Sequence, residues 1–389
     1  MNKRLKILHV IPYFQPEYGY EEYFHAFAQS KLGHNVYVVS SNYYNPNLNN
    51  GQRVRITNNF GNKELKIIRL KSIEFPFSCQ NYLFGIKELF NTINPDVVYA
   101  HGPENTLTLQ ISLLRRRIGF YYIIDQHKSG SLNENIGLKF LFSLYKLYIT
   151  YLNYNTANLI VTFAKDQTDN LLARFKSFAP KVKTQFAGVS IENFFFNQND
   201  RETIRKSLSI DNKEFVGIVS GRIEESKEIH CLIQELAESG VEMKLIIIGK
   251  LNDIYKRKLR DLSSTLFADT KTVSFIDRVP NSELRKYYCA ADVGFWVSHI
   301  SIGILEAYAC NLPVILCRSA TNCYPPITPE LVVNDRDFHA ALSKIRSLFT
   351  NDNNINNFRI KARQLAQNFS YTLLAKNILK YTNIETQQY

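Results

Sequence analysis

Phe215-Val216-Gly217-Ile218-Val219-Ser220-Gly221-Arg222-Ile223-Glu224-Glu225-Ser226-Lys227 runs from an apolar strand through a glycine to two cations at the mouth of a helix. Further on, Ile304-Leu305-Glu306-Ala307-Tyr308-Ala309-Cys310-Asn311-Leu312-Pro313-Val314 places one carboxylate early in a helix that leads into a buried strand, Pro313–Leu316. Apolarity that is continuous rather than alternating marks strands covered on both faces, which is the habit of parallel sheets. Two cations and a helix N-terminus suit a diphosphate, and a lone carboxylate suits a pair of ribose hydroxyls. The two stretches together point to a nucleotide-sugar site.

Outward from this segment the same alternation continues. Strands are predicted at Phe215–Ser220, Met243–Ile248, Thr272–Phe275, Val293–Trp296, Val314–Leu316 and Leu331–Val333. Helices intervene at Ile229–Glu238, Leu251–Leu262, Asn281–Ala290, Ile304–Ala309 and Asp337–Leu348. The first half repeats the design, with strands at Ile7–Ile11, Val36–Ser40, Ile67–Leu70, Val97–Ala100, Tyr121–Asp125 and Leu159–Thr162. Its helices are read at Glu21–Lys31, Cys79–Phe90 and Thr106–Ile118. A polar linker around Asn193–Arg201 divides the chain into domains over residues 1–192 and 193–370. A last helix, Tyr371–Tyr381, returns residues 371–389 to the first domain. The fold class is α/β, with two Rossmann-like, doubly wound parallel sheets facing a cleft.

The 389 residues, 45% of them hydrophobic, are ample for two large cores. A formal charge of +12 calls for anionic company: nucleic acid, lipid headgroups or phosphorylated substrates. Lys and Arg are scattered, and no nucleic-acid-binding motif appears, so nucleic acid is not an expected partner. The six cysteines form no CxxC pair and several lie in apolar runs, which reads as reduced core thiols in a reducing compartment. The apolar run after Lys3, Arg4 and Lys6 is stopped by Pro12 and reads as a first strand rather than a secretory signal. The longest apolar window, Phe140–Tyr154, is short of a membrane span and carries Lys146.

These residues resemble the GT-B glycosyltransferases of glycosyltransferase family 4. The first half is similar through Lys6-Ile7-Leu8-His9-Val10, Pro16-Glu17-Tyr18-Gly19, Gly33-His34-Asn35-Val36, Pro95-Asp96-Val97-Val98, His101 and His127. In the second half the likeness lies in Gly221-Arg222, Lys227, Ile246-Ile247-Ile248-Gly249, Ala291-Asp292-Val293 and Leu305-Glu306-Ala307 through Pro313-Val314. The resemblance implies a retaining transferase that takes a sugar from a nucleoside diphosphate. Arg222 and Lys227 would neutralise the diphosphate of the donor, whose charge grows as the glycosidic bond breaks. Glu306 would accept hydrogen bonds from the ribose, Gly19 would let the backbone approach diphosphate and acceptor, and His127 would face the donor sugar. Gly221, the Gly249 loop and Arg278 complete the donor site, the last two on the side of the base.

Three positions depart from the family pattern. The second glycine expected after Gly19 is Tyr20, and Glu228 stands where glycine is frequent. The carboxylate expected eight residues before Glu306 is Ser298, in a run that also looks shortened. Ser298, His299 and Ser301 are the candidates to replace that acid as hydrogen-bond donors to sugar or phosphate. No metal or other cofactor is expected; Asp335-Arg336-Asp337 has a DxD spelling, but it precedes a helix that Asp337 would cap.

The expected donor is a UDP- or GDP-sugar, and the acceptor a glycan or lipid-linked glycan of cell-surface polysaccharide or lipopolysaccharide assembly. Arg115-Arg116-Arg117 and the aromatic run Phe140–Tyr154 fit a peripheral contact with anionic membrane from the cytoplasm. Two other readings stay open at this point. One is an inactive GT-B homologue that binds a nucleotide or a partner; the other is a GT-B nucleotide-sugar epimerase.

Overall fold

The computed structural model describes residues 4–16, 20–45, 52, 54–56, 65–74, 81–126, 136–250, 252–349 and 352–382. The chain forms two compact units, residues 1–187 with 371–389, and residues 188–370.

The first unit runs β1 (Lys6–Val10), α1 (Glu21–Lys31), β2 (Asn35–Ser41), β3 (Lys66–Leu70), β4 (Ser72–Glu74), β5 (Asn81–Leu83) and α2 (Ile86–Ile93). It continues through β6 (Val97–His101), α3 (Thr106–Arg115), β7 (Tyr121–Gln126), α4 (Ile136–Thr156), β8 (Leu159–Thr162), α5 (Lys165–Arg174) and β9 (Val182–Thr184). Seven strands pair in parallel in the order β3-β2-β1-β6-β7-β8-β9. Successive residues of each strand point to opposite faces. Leu8, Val98, Tyr122 and Ile160 therefore join one apolar cluster, while Ile7, Val97, Ile123 and Leu159 join the other.

The sequence reading places one helix over Cys79–Phe90, and the structure corrects it. Asn81–Leu83 is a strand paired antiparallel with Ser72–Glu74, and the helix starts only at Ile86, behind a left-handed Gly85 (φ 77°). The Gln110 side chain holds the Leu83 backbone at both its N–H (3.0 Å) and its carbonyl (3.1 Å), fixing it as extended chain. Cys79 lies outside the described residues.

The second unit runs α6 (Gln198–Ser207), β10 (Val216–Ser220), α7 (Ile229–Ser239), β11 (Lys244–Ile248), α8 (Asp253–Leu266), β12 (Val273–Ile276) and α9 (Asn281–Ala290). After these come β13 (Val293–Trp296), α10 (Gly303–Ala309), β14 (Val314–Cys317), β15 (Val332–Val333), α11 (Phe338–Leu348) and α12 (Asp352–Gln367). Its six parallel strands lie in the order β12-β11-β10-β13-β14-β15, so the order reverses between β10 and β13. Ligands of doubly wound folds bind beyond the carboxyl ends of the strands at such a reversal. α13 (Tyr371–Tyr381) then goes back to the first unit, where Tyr371 stacks on Phe24 (5.0 Å) and Ile378 and Leu379 enter the core.

One buried carboxylate ties the second unit together. Asp292, at the foot of β13, accepts from Arg201 (2.8 Å) and Arg205 (2.7 Å) of α6, from Arg359 of α12 (2.8 Å), and from the Val216 N–H of β10 (2.9 Å). The surplus guanidinium hydrogens go to main-chain carbonyls, including those of Cys289, Ala290 and Ala291. Removing one partner of a buried pair leaves the others uncompensated. Asp292→Asn is accordingly expected to lower the stability of this unit by about 3–5 kcal/mol, read from urea denaturation. A loss below roughly 1 kcal/mol would mean that the carbonyls alone hold the arginines.

Candidate functional site

The reversal point is built from glycine. β10 ends at Gly221 (φ 108°), whose N–H donates to Ile248 O (3.1 Å). Gly249 (φ 147°) closes β11 so tightly that a Cβ there would stand 1.7 Å from the Gly221 carbonyl oxygen. Gly249 lacks both the room and the dihedral freedom for a larger residue, whereas at Gly221 the positive φ alone favours glycine. The chain then turns through a short 3₁₀ segment, Glu225–Lys227, and enters α7 at Ile229. The Lys227 ammonium folds back over this turn, with Nζ 3.4 Å from the place a Gly221 Cβ would take.

Lys227 is half-buried, and no carboxylate among the described residues forms an ion pair with it. Burial first, then the neighbouring Arg222, lower its pKa to about 8, although Glu224 opposes this. Arg222 is 76% exposed, with only a loose 3.4 Å contact to Glu224. A cation held half out of water with no ion-pair partner among the described residues, beside the positive end of α7, has the chemistry that suits an anion.

Glu306 belongs to the same place through a chain of hydroxyls. Ser220, the last residue of β10, shares a hydrogen bond with Tyr288 of α9 (2.7 Å), and the Tyr288 hydroxyl and the Glu306 carboxyl lie close enough to shift each other's titration. The Asn281 amide donates to Glu306 Oε1 (3.1 Å). Burial raises the Glu306 carboxyl to about 7, against the lowering effect of these two partners. Gly303 lets this cluster close: a Cβ there would meet Trp296 at 2.9 Å and the Tyr288 hydroxyl at 3.0 Å.

Past β13, Ser298 donates its hydroxyl hydrogen to the Lys227 carbonyl (2.6 Å), so the donor expected from the sequence is already used. Ser301 accepts from the Trp296 indole N–H (2.8 Å). His299 lies near Lys227 and Trp296, with its ring centroid 6.1 Å from the indole. Burial first, then the Lys227 charge, depress its pKa to about 3, so the ring is neutral. Arg278 follows β12, the edge strand.

Glu228 does have the left-handed backbone of a glycine (φ 52°), and Arg336 draws its carboxylate aside (2.9 Å). Asp335 accepts from the Ser319 N–H (2.9 Å) and Asp337 caps α11 through the Ala340 N–H (2.9 Å). Both acids of the DxD run thus serve the backbone.

In the first unit Gly19 and His127 lie outside the described residues. Near the carboxyl ends of β1, β6 and β7 there is instead a buried polar chain. Asp125 Oδ2 lies 2.6 Å from His101 Nδ1, His101 Nε2 lies 3.0 Å from His9 Nδ1, and His9 Nε2 lies 2.8 Å from Gln29 Oε1. Burial first, then His101, bring His9 down to about 3, leaving it neutral.

Sequence reasoning did not single out Ser220, Asn281, Tyr288 or Trp296. The available signal was the spacing of Asn281 and Tyr288, two turns apart on one face of α9. Tyr288 and Trp296 otherwise read as ordinary aromatic core.

The chain is similar to known proteins in both sequence and fold. Residues 200–365 match the family of glycosyl transferases group 1. An uncharacterized glycosyltransferase of Methanocaldococcus jannaschii, MJ1059, is 24% identical over 274 residues, 67% of this chain and 65% of that protein. The chain thus spans slightly under two thirds of that relative. The N-acetylgalactosamine-N,N'-diacetylbacillosaminyl-diphospho-undecaprenol 4-alpha-N-acetylgalactosaminyltransferase of Campylobacter jejuni is 21% identical over 323 residues, 80% of this chain and 82% of that one. The crystal structure of Anabaena Alr3699/HepE in complex with UDP superposes with a TM-score of 0.70 at 16% identity, covering 97% of this chain and all of the other. The chain has the GT-B fold, and the part of its second unit that spans residues 200–365 is similar to the group 1 glycosyl transferases. The matches do not narrow it to family 4.

The two shifted groups set a pH window for binding uridine diphosphate. Glu306 accepts hydroxyl hydrogens best when ionised, so affinity is expected to rise as pH climbs through about 7. Lys227 attracts the diphosphate only when protonated, so affinity is expected to fall above about 8. Calorimetry from pH 6 to 9.5, a range of roughly three units, is expected to give a bell. Glu306→Gln removes its acid limb and Lys227→Met its alkaline limb; a flat wild-type profile refutes the assignment.

Proposed function

We propose that the chain is a retaining glycosyltransferase. It moves a sugar from a UDP- or GDP-linked donor to a glycan or lipid-linked glycan in cell-surface polysaccharide or lipopolysaccharide assembly. The observation that carries this reading is the Lys227 ammonium over the Gly221 turn, without an ion-pair partner among the described residues, with Arg222 close enough to shift its pKa and Glu306 held by Asn281 at the same end of the sheet. A diphosphate answers the cations, and ribose hydroxyls answer the carboxylate. As the bond from the anomeric carbon to the phosphate oxygen breaks, negative charge accumulates on the leaving diphosphate. Cations fixed in place before the reaction stabilise that state more than the ground state. The acceptor oxygen then bonds to the anomeric carbon from the side of the departing phosphate, and its proton passes to a phosphate oxygen. In this reading the two side-chain cations do the work that a divalent metal does in other sugar transferases.

The lipid-linked acceptor has two supports. The relative from Campylobacter jejuni is named for a diphospho-undecaprenol substrate. In addition, α4 carries Leu144, Tyr145, Leu147, Tyr148 and Tyr151 exposed along its outer side. The helix contains no acidic residue, and α3, which packs on it, ends in the exposed cations Arg116 and Arg117. Tyrosines mixed with cations suit an anionic headgroup layer. No helix among the described residues is long and apolar enough to cross a membrane; the contact proposed here is peripheral, through α4, at the cytoplasmic face.

Purified protein incubated with a panel of nucleotide sugars is expected to release free nucleotide slowly from one of them, and faster once its acceptor is present. Arg222→Ala and Lys227→Ala are each expected to cut turnover by roughly a hundredfold or more with the fold intact; wild-type rates in both would remove the site assignment.

Sedimentation with phosphatidylglycerol vesicles, compared with pure phosphatidylcholine, tests the membrane contact. Tyr148→Glu with Leu144→Glu is expected to weaken the anionic-vesicle interaction by roughly tenfold while nucleotide release in solution stays unchanged. Equal pelleting of wild type and variant would exclude α4.

A further inference from the structure

The turn from Gly221 to Lys227 carries both cations of the donor site, and its two ends are secured differently. At its start Gly221 N–H donates to Ile248 O (3.1 Å) and Ile223 N–H to Lys250 O (3.0 Å), and the Ile223 side chain is buried in the core. At its end the 3₁₀ segment bonds to itself, Lys227 N–H to Glu224 O (3.0 Å) and Glu228 N–H to Glu225 O (2.9 Å). Such bonds shape the segment without fastening it to the sheet. Two ion pairs open to water also reach it, Lys258 with Glu225 (2.6 Å) and Arg336 with Glu228 (2.9 Å), and pairs of that kind hold a chain weakly.

The lysine main chain is fastened by a short hydrogen bond from the far side of the sheet reversal. The Ser298 hydroxyl, just beyond β13, donates to the Lys227 carbonyl at 2.6 Å. Its neighbours grip the same region: the Val297 carbonyl accepts from Arg336 N–H (2.8 Å), and the His299 ring is hydrogen-bonded to the main chain of Ser220. Residues 297–299 thus hold the turn at both its entry and its exit. A lysine ammonium rides on a long flexible stem, so its place is defined only as well as the backbone beneath it. Resting on the transferase reading above, we infer that Ser298 is a positioning residue for the donor: its hydroxyl holds the Lys227 main chain and so keeps the ammonium over Gly221, ready for the diphosphate. The position where the family pattern has an acid touching the transferred sugar serves here to place a cation on the leaving group.

The charged and titratable groups that face the ammonium are Arg222, Glu224 and the neutral His299. Burial is the main cause that brings Lys227 down to about 8, so an ammonium released toward water titrates higher. Calorimetry with UDP across the pH range is therefore run on wild type, Ser298→Ala and Ser298→Thr. In Ser298→Ala affinity near neutral pH is expected to fall roughly fivefold. Its alkaline limb is expected to move up by about half a unit or more, while the acid limb set by Glu306 stays in place. Ser298→Thr keeps the hydroxyl and is expected to restore both affinity and profile. Melting temperatures of the ligand-free variants within roughly 4 °C of wild type show that the unit remains folded. With a nucleotide sugar that the wild type accepts, the loss in Ser298→Ala is expected to match that for UDP, because the brace acts on the diphosphate.

A larger loss for the nucleotide sugar than for the bare nucleotide would assign Ser298 to the sugar. Unchanged affinity and profile in Ser298→Ala would show the lysine placed without it. Both limbs moving together with a lower melting temperature would mark a general loss of structure. Each of these overturns the inference and leaves the transferase reading standing, whereas a wild type that binds neither UDP nor GDP overturns both.

Discussion

The second unit is organised around an ammonium, Lys227, that has no ion-pair partner among the described residues. Keeping Lys227 half out of water costs free energy that the Glu224 charge only partly offsets, and burial shows itself in a pKa pulled down to about 8. The surroundings keep it so. Gly221 removes the side chain that would stand against the ammonium, and Gly249 lets the two strand ends close on one another. Ser298 pins the lysine carbonyl. Glu228, one residue along, has its carboxylate led away by Arg336, and Glu224 lies by the outermost cation, Arg222. A site that merely tolerated a lysine would let the nearest glutamate close on it. Here the acids adjacent in sequence are directed elsewhere, so the positive potential stays available for an anionic ligand.

The opposite policy governs the structural charges. Asp292 collects three guanidiniums and a backbone N–H, and main-chain carbonyls take what remains. Arg363 likewise spends its hydrogens on the carbonyls of Phe194, Ala309 and Ile191. Fully compensated charges such as these hold α6 and α12 to the sheet and leave nothing over for a ligand. The contrast is sharper than any single distance: one unit contains charges that are saturated and charges that are kept unsaturated. The unsaturated ones lie at the carboxyl ends of the strands where the order reverses.

Much of this was legible in the amino-acid sequence, for a physical reason. Parallel strands buried on both faces leave continuous apolar runs, so Val293–Trp296 and Leu159–Thr162 are found at their observed limits. Amphipathic helices with polar ends are equally plain, as in Glu21–Lys31, Asn281–Ala290 and Tyr371–Tyr381. The short pair β4 and β5 was not legible, because three-residue strands leave no periodicity and Gln110, far along the chain, fixes one of them. Arg222, Lys227 and Glu306 stood out because charged residues at the ends of apolar runs have no packing role. Tyr288 and Trp296 did not, since a hydroxyl or an indole N–H that serves a site looks, in sequence, like any aromatic of the core. Ser298 is the instructive case: its residue type allowed a ligand contact, and only the fold shows the hydroxyl turned to a carbonyl.

The net charge of +12 takes on a different meaning once its parts are located. Read from composition it points equally to nucleic acid, membrane and phosphorylated substrates. Yet Arg201, Arg205, Arg359 and Arg363 hold the inside of one unit together, and Lys181 caps the end of α4 through the carbonyls of Tyr154 and Ala157. These cations face carbonyl dipoles or Asp292 and contribute little to any field felt by a polyanion. Among the exposed or half-exposed cations two groups of different character stand out, Arg222 with Lys227 at a glycine turn, and Arg116 with Arg117 beside an aromatic helix face. A duplex needs a continuous basic track matched to its phosphate spacing. Two compact groups, one within reach of a neutral histidine and a carboxyl and the other flanked by tyrosines, match two small targets, a diphosphate and a headgroup surface.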